Sequence, residues 1–524
     1  MEDRRYPTKG WNKAIRTLAV LVLFACAYAA GNYYQLVHAV LYRAAANDWY
    51  NAALQFAVLG GQALALLGAI LLLPRNWFAL ALAVIGLSLA VNLGFSSTSS
   101  ELLTAGRLGW LFVEARQADN ALGEFAVTLA LAAVQLVLAL VLLWATRAAA
   151  GRGVRRNLPL GLVLLIVPSL LVQPLGLNPP SAERNLYSYA FRVWTADPVP
   201  QRDPVDIALV GEPSMRPRHF VWLLDESIAY APFQRLIRPQ VDIHDPLDFG
   251  AAASLGHCSG PANLALRSGV DVRNAAPGMD LRRSPSIWAY AAGAGYRTRL
   301  IEGQMAGAPQ NYLLEPELEL IDDYVTAVGG IDTDREIAAL INKQLQDGQP
   351  TFTLAVLRGV HFQYRDHVPS GSLSGDEPKR ERYETALAYS KDRFFDILLD
   401  GVDREQVAVA YLSDHGQNLE EGVLAHCSQA PHADEFRIPL LAFLPEPLAA
   451  SYREAGPQGH SASQLYAATL GWMGYDRQAV EARYDNDLDK PTARYVWFDR
   501  DVIPLDAEDE TGVNAGPDFP GTRR

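Results

Sequence analysis

Five long apolar stretches in the first 180 residues constrain this chain more than anything else in it. They run roughly over Ala14–Leu41, Ala52–Leu73, Trp77–Phe95, Gly123–Ala145 and Leu158–Leu175. Each has about the 17–25 residues that carry a helix across a bilayer core. None holds a Lys or Arg in its central portion, so burial in lipid costs little. Helices of a water-soluble core keep a polar face, and Leu64–Leu73 and Ala126–Trp144 barely have one. The hydrophobic share of the whole chain, 50%, is ordinary; its concentration in the first third is what points to a five-span membrane anchor over residues 1–180.

Charge orients that anchor. Arg4, Arg5, Lys9, Lys13 and Arg16 precede the first stretch, and Arg147, Arg152, Arg155 and Arg156 stand between the fourth and fifth. The loop after the first stretch has only Arg43 and Asp48, and the loop after the third mixes Glu101, Arg107, Glu114, Arg116 and Asp119. Cytoplasmic loops carry the excess of Lys and Arg, so the N-terminus is expected inside and, after an odd number of crossings, everything past Leu175 outside. The first stretch is too long and lacks a convincing cleavage site, so it reads as a retained anchor.

A linker, Gln173–Pro180, leads into residues 181–200, where Tyr187, Tyr189, Phe191 and Trp194 mix with Arg184 and Arg192. That mixture suits a helix lying in the membrane interface, or equally an amphipathic helix packed on a soluble domain. From about Val199 the composition becomes that of a soluble α/β domain with a mainly parallel sheet, residues 201–505, followed by a tail, 506–524, that reads as disordered. No internal repeat interrupts it.

Three short apolar runs in this part end on polar residues. Val407–Leu412 runs into Ser413-Asp414-His415-Gly416, with His426 following; His219–Leu224 runs into Asp225-Glu226-Ser227; Thr351–Leu357 runs into Gly359-Val360-His361. Continuous apolar runs of this length fit parallel strands buried on both faces. Open α/β sheets bind ligands outside the carboxyl ends of their strands. Glu226, His361, Asp414 and His415 can therefore converge on one cleft and hold a divalent metal. Mixed oxygen and nitrogen ligands suit zinc or manganese better than calcium. An isolated Asp-His pair is as often an acidic turn beside a surface histidine; the three parallel endings favour the metal site. Asp225 replaces Glu226 as the ligand if the register differs by one, because adjacent strand residues point to opposite faces.

The net charge of −13 and the absence of a long basic run argue against a nucleic-acid partner. Of three cysteines, Cys26 lies in the first apolar stretch, while Cys258 and Cys427 both fall beside candidate site residues. A disulfide between these two is compatible with an oxidising compartment.

Ser254–Asn263, Ser-Leu-Gly-His-Cys-Ser-Gly-Pro-Ala-Asn, is rich in small and hydroxyl residues and precedes the helix-like Leu264–Leu266. A serine there, Ser259, faces the positive end of the helix dipole and backbone N–H groups able to hold phosphate. Metal coordination is one way to activate a weak serine nucleophile. The same serine can instead simply cap the helix.

Taken in order, Asp225-Glu226-Ser227, His257-Cys258-Ser259, Gly359-Val360-His361, Ser413-Asp414-His415-Gly416 and His426 resemble the membrane-bound phosphoethanolamine transferases of the alkaline-phosphatase and sulfatase superfamily. Ala289–Thr298 leading into Leu300-Ile301-Glu302-Gly303-Gln304, and the late Gly459-His460-Ser461, are similar too. The resemblance covers essentially the whole chain. It implies an alkaline-phosphatase-like catalytic domain and a multi-pass protein of the bacterial inner (plasma) membrane, with that domain on the periplasmic side. It further implies zinc, as one or two ions with manganese as the alternative, held by Glu226, Ser259, Asp414 and His415. Ser259 stands where the family usually has a threonine nucleophile, and His361 and His426 match residues that bind substrate phosphate or a second metal. The implied reaction moves phosphoethanolamine from a phospholipid donor such as phosphatidylethanolamine, through a covalent Ser259 intermediate, to an envelope glycolipid (lipid A or lipopolysaccharide core) or glycan.

The chain departs from the family pattern in three places. Val356 occupies a position that often holds another histidine, Phe362-Gln363-Tyr364 replaces a Gly-Pro-x-Tyr continuation, and the many cysteines are nearly absent. Two enzymatic rivals use the same site: a phosphoglycerol transferase or phosphodiesterase, and a sulfatase with a modified Ser259. Against the sulfatase, Asn263 sits where its Cys/Ser-x-Pro-Ser/Ala-Arg segment needs arginine. A membrane scaffold with an inactive domain gives no reason to keep carboxylates, hydroxyl and histidines together. His257, His367, His432 and His460 read as loop or cleft-lining residues outside the site.

Overall fold

In a computed structural model the chain divides into two compact units between Ala196 and Asp197. The structure describes residues 8–505 except 104–124 (Leu108 and Leu111 apart) and shorter stretches, among them 45–48, 152–155, 172–179, 195–200, 213–215, 275–278 and 305–310, and past 505 only Asn514–Ala515. The basic residues Arg4, Arg5, Arg152 and Arg155, most of the Gln173–Pro180 linker, and the tail lie outside the described residues.

The first unit is helical: α1 Thr8–Gly31, α2 Trp49–Leu72, α3 Arg75–Ser99, α4 Ala126–Ala150, α5 Leu158–Leu171 and α6 Ala182–Trp194. Among the described residues four helices, α1 to α4, are long and apolar enough to cross a membrane, one fewer than expected. At 1.5 Å per residue the 14-residue α5 spans about 21 Å, short of the roughly 30 Å hydrocarbon core. The first apolar stretch also divides earlier than its composition suggests. Helix α1 ends at Gly31, and short helical turns follow over Tyr33–Leu36 and Val37–Leu41; at the break the Asn32 side chain takes the Ala182 N–H (2.7 Å) and donates to Glu183 (3.1 Å).

Helix α6 departs from a simple interfacial helix. Its first turn is buried in the bundle, where Ser181 donates to Gln62 (2.6 Å), Ser88 donates to the Ala182 carbonyl (2.6 Å) and Asn92 pairs with Asn185. Glu183 and Arg184 form an ion pair there at 3.2 Å. The opposite side carries the exposed rings of Tyr187, Phe191 and Trp194, the aromatic side that suits a membrane interface.

The second unit is built on a seven-stranded sheet of β1 His219–Asp225, β2 Leu247–Ala253, β3 Arg297–Glu302, β4 Asp323–Thr326, β5 Thr351–Val356, β6 Val407–Ser413 and β7 Arg437–Phe443, in the order β2-β7-β6-β1-β5-β3-β4. The pairs β6–β1, β1–β5, β5–β3 and β3–β4 are parallel; only β7 runs against its neighbours. This is the expected α/β class. The apolar run of β1 sits at the sheet's centre because both of its faces are covered. Val221 and Leu223 join Tyr411, Phe395 and Ile341 on one side. On the other, Trp222 meets the rings of Phe352 and Tyr466 and donates to Thr469 (2.9 Å). A smaller antiparallel sheet follows, from β8 Tyr495–Phe498, β9 Asp501–Pro504 and β10 Asn514–Ala515.

The register aligns the carboxyl ends. Leu224 pairs with both Leu412 and Val356, and Val356 pairs with Glu302. The residues after β1, β3, β5 and β6 therefore emerge along one edge.

Candidate metal centre

Glu226 leaves β1 at this edge. Ser227 follows in a left-handed backbone conformation (φ 65°), which is costly for a side chain with a Cβ and is tolerated where the surroundings fix it. Here they do: the Ser227 N–H donates to Asp414 Oδ1 (3.0 Å) and its hydroxyl to Glu226 Oε1 (2.6 Å). Gly359, past β5, comes so close that a Cβ there would lie 2.3 Å from the Glu226 carbonyl, so only glycine lets that loop deliver His361. Gly416 is equally constrained, since a Cβ would lie 2.0 Å from the Asp434 carbonyl.

Asp414 and His415 leave β6. Asp414 Oδ1 accepts from the N–H groups of Ser227 and His415 (3.0 and 2.7 Å), while the buried Oδ2 has no hydrogen-bond partner. His415 is fully buried, and its Nδ1 lies 2.8 Å from the Gly416 carbonyl. That contact places the proton on Nδ1 and leaves the Nε2 lone pair for a ligand. Glu226, Asp414 and His415 bring one ligand atom each within 4.8 Å of one another.

Ser259 completes the cluster. It is the first residue of helix α7, Ser259–Ser268, with Cys258 in the capping position before it. The Ser259 hydroxyl therefore does not cap the helix. Its oxygen lies 3.2 and 3.1 Å from the two Glu226 oxygens and 3.1 Å from His415 Nε2. Asn263, one turn on, donates to the Ser259 carbonyl (2.9 Å). Cys258 and Cys427 form a disulfide, tying the residue before Ser259 to the residue after His426.

His361 and His426 stand beside this group. The His426 ring stacks on His415 with centroids 4.6 Å apart and meets His361 at 4.8 Å. Burial, then the imidazoles of His415 and His361, hold His426 well below the usual histidine range, so it presents a neutral ring. Burial and the Glu226 charge push Asp414 well above the usual carboxylate range. Burial also acts against Glu226, but His415, His361 and the Ser227 hydrogen bond outweigh it and hold that carboxyl below its ordinary value. A cation here relieves the repulsion that otherwise leaves a proton on Asp414. Two carboxylates, one of them with a buried oxygen free of hydrogen bonds, an imidazole lone pair and a hydroxyl form a donor set that fits zinc.

The alternation of β1 decides between its two terminal carboxylates. Asp225 faces away from the cluster and accepts from Lys391 (2.6 Å) and Tyr411 (2.6 Å). The other histidines stay outside. His257 stacks on Phe498, His460 is buried against Gln464 and the Gly456 carbonyl, His367 is buried, and the part-exposed His432 lies 3.7 Å from Glu420. Two groups make contacts for which sequence reasoning assigned no role. Gln304, noted only within a family-like segment, donates to Glu226 Oε2 at 3.0 Å. Lys391 and Asp334 sit behind β1, their only sequence trace being charged residues in otherwise amphipathic helices.

Comparison with known proteins agrees with this architecture. Residues 268–475 match the sulfatase family model, a stretch that includes His361, Asp414, His415 and His426 and leaves out Glu226 and Ser259. The integral membrane lipooligosaccharide phosphoethanolamine transferase A from Neisseria meningitidis is similar over 87% of this chain and 96% of its own, with 13% identity and a TM-score of 0.51; that likeness shows the fold. The zinc complex of the C-terminal periplasmic domain of EcEptC from Escherichia coli covers 58% of this chain and 97% of its own, at 18% identity and a TM-score of 0.48. No curated protein matches the chain.

Proposed function

We propose that this protein is a metal-dependent phosphotransferase that moves a phosphoethanolamine group from a membrane phospholipid to an envelope glycolipid through a covalent intermediate on Ser259. The observation that carries this reading is the position of the Ser259 oxygen, within 3.2 Å of both Glu226 oxygens and 3.1 Å from His415 Nε2. An N-capping serine has no reason to leave its helix for that cluster. The Neisseria protein that shares the fold is an integral membrane lipooligosaccharide phosphoethanolamine transferase, which supports this substrate class.

Glu226, Asp414 and His415 are the residues that would hold zinc, with Ser259 beside them. Bound there, the ion would lower the pKa of the neighbouring hydroxyl and neutralise charge on a phosphoryl group. The Ser259 oxygen attacks the donor phosphorus, the bond from phosphorus to the diacylglycerol oxygen breaks, and diacylglycerol leaves with a proton. An acceptor hydroxyl then attacks the same phosphorus, the serine ester breaks, and Ser259 recovers its proton. His361 and His426, whose rings meet each other and, for His426, His415, would stabilise the equatorial oxygens, the principal demand of phosphoryl transfer. If water takes the acceptor's place, the reaction is phosphodiester hydrolysis.

The donor and acceptor are lipids, so an anchor that keeps the domain at the bilayer fits the chemistry. Placement of the second unit outside the cytoplasm is part of the proposal. It requires the fifth apolar stretch to cross the membrane, and the Cys258–Cys427 disulfide favours an oxidising compartment.

Intact-mass analysis of the full-length protein incubated with phosphatidylethanolamine tests the reading. A phosphoethanolamine adduct on Ser259 is expected, absent in Ser259→Ala and retained in Ser259→Thr. A phosphoglycerol adduct from phosphatidylglycerol, or a formylglycine at position 259, would replace the proposal by one of its rivals.

A further inference from the structure

We propose that Gln304 is a positioning residue for the metal centre, its side-chain amide fixing the Glu226 carboxylate in the orientation that receives the ion. The inference rests on Glu226, Asp414 and His415 being the cation ligands. Gln304 lies two residues past β3, and β5 separates β3 from β1. Its side chain crosses that gap. One Nε2 hydrogen goes to Glu226 Oε2 (3.0 Å) and the other to the Leu357 carbonyl just past β5 (3.0 Å). The amide oxygen accepts from Asn311 Nδ2 (3.3 Å), and the Gln304 backbone N–H donates to Glu302 Oε1 (2.9 Å). The two carbonyl-type acceptors on one end and the amide donor on the other settle which end is nitrogen.

This arrangement constrains both oxygens of the Glu226 carboxylate. Ser227 donates to Oε1 and Gln304 to Oε2, so each carboxylate oxygen carries one fixed neutral donor. A carboxylate oxygen accepts about two hydrogen bonds, and the remaining lone pairs face Ser259 and His415. Carboxylate ligands of metals depend on such outer hydrogen bonds, whose loss typically costs about 10–100-fold in metal affinity. A glutamine that only ties three strand ends together makes a different prediction: its loss lowers the stability of the metal-free fold and leaves affinity alone.

The experiment uses the full-length protein in detergent, stripped with a chelator, with zinc affinity read by competition against a chromophoric chelator and metal-free melting followed by circular dichroism. Gln304→Met keeps the volume and removes both donors. The expected result is a zinc Kd about 10–100-fold weaker with the metal-free melting temperature nearly unchanged. If that variant does not fold, Gln304→Asn, too short to reach both acceptors, should show the same loss. A wild-type Kd in a folded variant overturns the inference. Glu226→Gln separates the two levels: if it too leaves zinc affinity unchanged, the ligand assignment itself is wrong, whatever Gln304 does.

Discussion

Replacing Lys391 by methionine should destabilise the second unit more than any surface change, and loosen the metal centre with it. Lys391 closes helix Lys379–Lys391 and is completely buried. Its ammonium lies 2.6 Å from Asp225 Oδ2 and 2.7 Å from Asp334 Oδ2, and both carboxylates are buried. At an effective dielectric near 20, each contact is worth about 6 kcal/mol of Coulomb attraction before desolvation is subtracted. Burial works against the lysine, yet the two aspartates raise its pKa above the ordinary value; it is charged at neutral pH. Methionine fills the space and leaves two carboxylates facing each other without a counter-ion. Breaking a buried pair in this way costs about 3–5 kcal/mol.

The damage should reach the site through three hydrogen bonds from backbone N–H groups. Asp225 Oδ1 accepts from the Glu226 N–H (3.0 Å), and Asp334 accepts from the N–H groups of Arg358 and Gly359 (2.8 and 3.3 Å), which lead to His361. Denaturant unfolding of the full chain in detergent, followed by tryptophan fluorescence, measures the first effect, and zinc competition the second. The triple variant Lys391→Met/Asp225→Asn/Asp334→Asn removes all three charges and should recover most of the lost stability. A Lys391→Met protein within 1 kcal/mol of wild type, on the scale expected for exposed pairs, would refute the reasoning.

Three other outcomes are expected. Burial, then Arg358 and His361, push His367 down to about 3; the unfolded chain, with its histidine near 6.5, binds the extra proton between those values. Stability should therefore fall as pH drops from about 6.5 toward 3, by at most about 1.4 kcal/mol per unit, and His367→Gln should flatten that slope; parallel stability curves for the two proteins would sink the idea. The Cys258–Cys427 bridge closes a separation of 169 residues, so the double serine variant should lose about 2–5 kcal/mol in the same denaturant assay, and an unchanged midpoint would count against it. Reporter fusions at Gly151 and at the C-terminus should report opposite sides of the membrane; if both report the cytoplasm, the envelope substrate fails with them.

The strand ends were legible because each is a local signal. A run such as Val407–Leu412 must be buried on both faces, and the polar residues that stop it must then lie at a sheet edge. Parallel pairing does the rest, bringing Glu226, His361 and Asp414-His415 to one edge although nearly two hundred residues separate the first from the last. Of the fifth apolar stretch the described helix covers Leu158–Leu171, apolar enough but short of a full crossing, because hydropathy measures composition and not helix length. The break in the first stretch falls at Asn32, whose side chain meets Glu183, a partner 151 residues away. Gln304 and Lys391 act across strands or behind them, and no periodicity marks such contacts in a sequence.

The neighbouring carboxylates Asp225 and Glu226 show how one strand end serves two purposes. Successive side chains of a strand point to opposite faces, so a ligand on one face places its neighbour on the other, inside the helix-covered core. A charge buried there requires a counter-ion, and Lys391 supplies it. The same pairing fixes the Glu226 backbone, since Asp225 Oδ1 holds the Glu226 N–H. With Gln304 and Ser227 on the carboxylate oxygens, Glu226 is restrained at both its main chain and its side chain. Asp414 Oδ2, by contrast, is buried without a partner. The asymmetry gives the cluster a rigid ligand and a less satisfied one, and a buried carboxylate oxygen of that kind beside a fixed carboxylate is a place where a cation lowers the free energy of the cluster.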